Sequence, residues 1–146
     1  MDDHDSFDIV TKQIGKEKSY TRVLITIYKC IPEKEFSIML RCFQDLFDNA
    51  AALQKKYCVI LHVHQDVTIS PLQIASLIFT LSINRHITKQ YSITTAIVVP
   101  SARITDLFNT IFTMYKPVGH VEVTQELKSA KEHCKAQVVI DENLNS

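Results

Sequence analysis

The stretch 57–81, YCVILHVHQDVTISPLQIASLIFTL, constrains the fold more than any other part of the chain. Its opening, YCVILHV, is nearly continuous in apolar and β-branched side chains. So unbroken a run suits a strand covered on both faces, as in a parallel sheet with helices above and below. After a short loop, Ser70 and Pro71 mark a helix start. Serine is a favoured N-cap, and proline fits the first helical position because its missing N–H has no intrahelical partner there. From Leu72 to about Lys89 there are few polar gaps, so this helix is expected to be buried around most of its circumference.

The rest of the chain repeats that alternation. Residues 7–13 and 20–29 are rich in β-branched and aromatic side chains, and Gly15 lies in the turn between them, so they read as a β-hairpin. The first of the two strands is short and polar, as suits a sheet edge. Pro32 opens a helix in which Phe36, Leu40, Phe43 and Phe47 recur at helical spacing. Residues 93–99 form a third core strand. Pro100 ends it, and Ser101 can cap a helix with Ile104, Leu107, Phe108, Ile111 and Phe112 on one face. Residues 120–124 read as a short strand and 126–137 as a last, mostly polar helix. Strands alternating with helices predict an α/β domain: an N-terminal β-hairpin, then a mixed, mostly parallel sheet of about five strands with helices packed on it. Residues 1–6 and 138–146 are expected to be a disordered N-terminus and a flexible tail around one domain spanning 7–137.

Charge and cysteine usage narrow the function classes. Sixteen Lys plus Arg balance sixteen Asp plus Glu. Phosphate contacts dominate nucleic-acid affinity, and no basic stripe is visible, so nucleic acid is not an expected partner. A net charge near zero removes self-repulsion and leaves a homodimer open. Cys30, Cys42, Cys58 and Cys134 form no C-x-x-C pair and read as reduced, mostly core positions of a cytoplasmic protein. The acidic start MDDHDSFD has no apolar run, so neither a signal nor a transit peptide is expected. No apolar stretch approaches the ~20 residues of a membrane span, so no membrane insertion is expected. With only Gly15 and Gly119, the chain has no glycine-rich phosphate loop and no dinucleotide fingerprint. No catalytic residue, cofactor or metal site is expected.

The order of elements resembles the STAS domain, found in anti-sigma-factor antagonists and in the cytoplasmic tails of sulfate transporters. Three segments carry the resemblance: YCVILHVHQDVTISPLQIASLIF, ITTAIVVPSARITDLFNTIF and HVEVTQELKSAKEH. It covers roughly residues 7–137. The resemblance implies a non-enzymatic regulatory or scaffolding domain acting through a protein partner. It places the contact on the loop and helix start after the central strand, at Gln65, Asp66, Thr68 and Ser70, joined by Ser101 and Arg103 of the neighbouring loop. That family has an Asp-Ser-Ser/Thr-Gly run with a phosphorylated hydroxyl, where this chain reads Thr68-Ile69-Ser70-Pro71-Leu72. Ser70 is the corresponding candidate for phosphorylation. The strand and helix order also resembles CRAL-TRIO domains, which implies the alternative of a small-ligand module for a lipid or nucleotide. A third reading takes His62, His64 and Asp66 as H-x-H-x-D ligands of a metal-dependent hydrolase, because alternate residues of a strand share a face.

Overall fold

Successive side chains of a strand point to opposite sides of the sheet, and this assigns each residue to one of two faces. In the central strand β3 (Tyr57–Val63), Tyr57, Val59 and Val63 join one core, while Cys58 and Ile60 join another. Its neighbours are β2 (Tyr20–Ile27) and β4 (Ser92–Val98), and both pair with it in parallel. Register keeps the faces consistent across the sheet: Ile60 stands between Leu24 and Ala96, and all three lie in the second core. The computed structural model describes residues 6–117 and 119–145.

The sheet has five strands in sequence order. β1 (Phe7–Ile14) is antiparallel to β2 at one edge, and β5 (Val121–Thr124) is parallel to β4 at the other. The hairpin turn uses Gly15 at φ 81, where a Cβ would come within 2.7 Å of the Tyr20 ring. The expected hairpin, alternation and mixed, mostly parallel sheet are all present. When each new parallel strand is added on the same side through right-handed connections, the crossover helices share one face. That face carries α1 (Glu33–Leu53), α2 (Pro71–Ile83), α3 (Arg85–Tyr91) and α4 (Ala102–Met114). The opposite face carries α5 (Leu127–Leu144) alone.

Four features differ from the sequence expectation. The helix read as continuous from Pro71 to Lys89 breaks at Asn84, which is buried. Its amide exchanges hydrogen bonds with the Gln44 amide (2.7 and 3.0 Å) and donates to the Thr80 carbonyl, in place of a regular helical position.

The second difference is that α2 is not buried all round. Gln73 is its one fully buried residue, because the helix rests mainly on α1, α3 and α4 and not on the sheet. Third, α5 runs through residues 138–144, which were expected to be a flexible tail. Val138 continues the inner row of Ala130 and Cys134, and burying a valine is worth ~1.5–3 kcal/mol. Asp141, one turn on, accepts the Tyr20 hydroxyl at 2.5 Å and pairs with Lys56 at 3.0 Å. Fourth, Ser6 is buried and its hydroxyl donates to Glu35 at 2.7 Å, so it belongs to the domain. The expectation for residues 1–5 lies outside the described residues. Among the described residues, no helix is long and apolar enough to cross a membrane.

Candidate functional site

Parallel strands deliver their following loops to one edge of the sheet, where α/β proteins gather ligand-binding groups. Here the segments after β2, β3 and β4 meet at that edge. There Thr68 contacts Cys30, one of the four cysteines read from the sequence as mostly core positions, and the charge of Arg103 acts on it. β2 ends at Ile27, so Cys30 falls in the loop beyond it and is exposed. Its sulfur lies 3.0 Å from the Thr68 hydroxyl and accepts the Thr68 N–H at 3.4 Å. These hydrogen bonds hold the Cys30 thiol below its ordinary range, with a smaller contribution from the Arg103 charge.

The other expected site residues have different roles. Ser70 caps α2: its hydroxyl oxygen accepts Gln73 N–H at 3.1 Å, and the Gln73 carbonyl oxygen accepts Ser70 N–H at 3.3 Å. This is a complete capping box. Ser101 caps α4 by accepting Ile104 N–H at 3.4 Å. Gln65 and Asp66 stand exposed in the turn after β3 and do not join the Cys30 group.

The H-x-H-x-D set does not converge. β3 ends at Val63, so strand alternation does not carry to Asp66. The His62 and His64 rings lie 5.1 Å apart, and His64 packs edge-on against Tyr28. Burial, then the neighbouring His64, holds the His62 imidazole below its usual range. Among the described residues the donor set that does gather is His120, Glu122 and His133, at the opposite end of the sheet.

An apolar cavity lies beneath α2. Because α2 bridges α1 and α4, a cavity of about 130 Å³ remains between it and the sheet. Val59, Leu61 and Ile97 form its floor, and Phe43, Leu77, Leu81 and Phe108 its walls and roof. The Gln73 amide lies at one side and donates to the Ile31 carbonyl at 2.7 Å. Four hydroxyl-bearing residues, Tyr57, Thr88, Ser92 and Thr95, also line it. Tyr57 is 2% exposed, and no partner meets its hydroxyl in regular hydrogen-bond geometry, although the Thr88 and Ser92 hydroxyls lie near it. Burial pushes this phenol up to about 12, against a smaller lowering by hydrogen bonding with the Thr88 and Ser92 hydroxyls. A second cavity of about 110 Å³ shares Thr88, Ser92 and Thr95 and reaches the surface at Gly119 and His120. The outer side of α2 is also apolar: Leu72, Phe79 and Ile83 are 67%, 65% and 53% exposed.

The sequence reading missed Tyr57 and the cavity. A tyrosine opening an otherwise aliphatic strand was the available signal, since a buried phenol needs a partner for its hydroxyl. Neither a protein-family model nor a curated protein nor a solved structure matches the chain.

Proposed function

We propose that the domain is a non-enzymatic binding module for a small apolar molecule that carries one hydrogen-bond acceptor. The apolar cavity beneath α2, with the buried Tyr57 hydroxyl lacking a partner of regular geometry, carries this reading. A buried donor left without a partner costs about 1–3 kcal/mol, which a ligand carbonyl or ether oxygen would recover. Ligand sites are mostly apolar with a few placed polar groups, and this lining has that character. The volume is close to the ~150 Å³ of an apolar cavity that admits benzene. A longer chain would enter by displacing α2, which anchors only one fully buried residue.

Titration with a short-chain fluorescent fatty acid tests this reading. Saturable binding is expected, weakened about two- to tenfold in Tyr57→Phe by loss of one hydrogen bond. Leu77→Trp, which fills the cavity, should abolish it. If the probe does not bind, or binds Leu77→Trp equally well, the cavity is not a ligand site.

A second reading is contact with another protein, here a second copy of the chain, through the outer face of α2. The exposure of Leu72, Phe79 and Ile83 favours it, and the zero net charge offers no opposing repulsion. Sedimentation should then show a dimer that Phe79→Glu converts to monomer. A monomer at all concentrations would end this reading.

A further inference from the structure

At the other end of the sheet from Cys30, three side chains with metal-binding atoms meet across two elements. His120 immediately precedes β5 and Glu122 is its second residue, so the two point to the same face. That face is the one α5 covers, because Val121 between them packs into the opposite core. α5 crosses it and supplies His133, next to the core residue Cys134. One donor atom from each of the three lies within 4.8 Å of the others. His120 Nε2 and a Glu122 carboxylate oxygen are 3.3 Å apart, and the two imidazole rings are 5.1 Å apart.

We propose that His120, Glu122 and His133 form a binding site for a divalent transition-metal ion, with zinc as the best match. Two imidazoles and one carboxylate are a recurrent zinc donor set. A tetrahedral ion with bonds of about 2.0–2.2 Å places its ligand atoms roughly 3.3–3.6 Å apart. The His120–Glu122 pair already has that spacing, and rotation of the exposed His120 side chain closes the remainder.

A second observation concerns Thr94. This residue is 1% exposed, and its hydroxyl contacts His133 Nε2 at 2.9 Å. The same hydroxyl donates to the His120 carbonyl at 3.3 Å. With His133 Nε2 engaged by Thr94, Nδ1 is the nitrogen left to ligate, and an imidazole held through its other nitrogen by a buried polar group is the usual arrangement around protein-bound metals. Thr94 thus fixes the ring of one ligand and the backbone of another before any ion arrives. Because His120 is exposed, an ion can reach the cluster from solvent. An ion there would also tie β5 to α5.

The test is calorimetric titration of the chelator-treated full chain with Zn²⁺ alone, with Co²⁺ absorbance as the probe of coordination geometry. One equivalent should bind with a micromolar or tighter Kd and give a tetrahedral Co²⁺ spectrum. His120→Ala, at an exposed position that does not endanger folding, should abolish it, and Glu122→Gln should weaken it strongly. Thr94→Val should cost about tenfold or more while preserving one-to-one stoichiometry. A double His62→Ala, His64→Ala variant and Cys30→Ser should bind as the parent does. Absence of saturable Zn²⁺ uptake overturns the proposal. So does uptake that survives His120→Ala and disappears in the His62/His64 or Cys30 variants.

Discussion

The two faces of the sheet are packed in different ways. The face under α5 is filled by small and medium side chains: Ala96, Ala130, Cys58, Cys134 and Ile60 are all fully buried. Small residues let a single helix approach the strands closely. The Cys58 thiol there is hydrogen-bonded to Cys134, and that bond and burial together push it well above the ordinary thiol range. The face under α1–α4 is built from Phe36, Met39, Phe47, Phe108 and β-branched residues. Its large side chains hold α2 away from the strands and leave a cavity. One face is covered by a single long helix on small side chains. The other is roofed by four helices on large ones, and the candidate ligand site lies under α2, the helix with one fully buried residue.

The contrast can be broken by mutation. The largest effect is expected from Ile60→Ala, at the centre of the α5 face: a loss of ~2–5 kcal/mol in urea denaturation. Leu77→Ala, beside the existing cavity and only half-buried, should cost clearly less; equal costs would mean that α2 is as firmly packed as α5. Next comes Ala130→Leu, where added volume has nowhere to go. Overpacking should destabilise by ~1–3 kcal/mol, measured the same way. Ser70→Ala removes the cap of α2 and should cost about 1 kcal/mol, with faster hydrogen exchange in the first turn of that helix. Exchange spread evenly over the domain would show that α2 is not a separate weak element. The smallest effect is expected from Tyr57→Phe. Its hydroxyl has no partner in regular geometry to lose, so stability should hold within ~0.5 kcal/mol or rise. A clear loss would mean that the hydroxyl is paired in solution.

Much of the fold was legible because strand and helix periods differ. The run YCVILHV could only be a covered strand, and Ser70-Pro71 and Pro100-Ser101 marked helix starts that the structure retains. Periodicity gives the faces an element could bury, not what lies opposite them. Leu72 and Ile83 therefore counted toward a helix expected to be mostly buried although they are exposed, and Asn84 gave no sign that its amide would be taken up by Gln44. The same limit hid the extent of α5, whose last apolar contact, Val138, stands among polar residues. The candidate sites were less legible still. Thr68 and Arg103 were named from the sequence, but Cys30 joins them only because β2 stops short of it. His120, Glu122 and His133 are divided between a strand and a helix and carry no local motif.

The closing contacts of α5 also dictate when the domain can finish folding. Asp141 holds Tyr20 and Lys56, and Glu142 accepts the Lys16 N–H at 2.6 Å, so the last turns of the chain fasten its first hairpin. The Tyr20–Asp141 bond joins residues 121 positions apart. Contacts of such long sequence separation form late, after most of the loop-closure entropy has been lost. On the ribosome, a chain that has emerged only as far as β5 has made its whole sheet, yet Cys58, Ile60 and Ala96 remain open to water. Until α5 is released that uncovered face is a sticky surface, and a pause in synthesis at this point would leave the chain dependent on a chaperone.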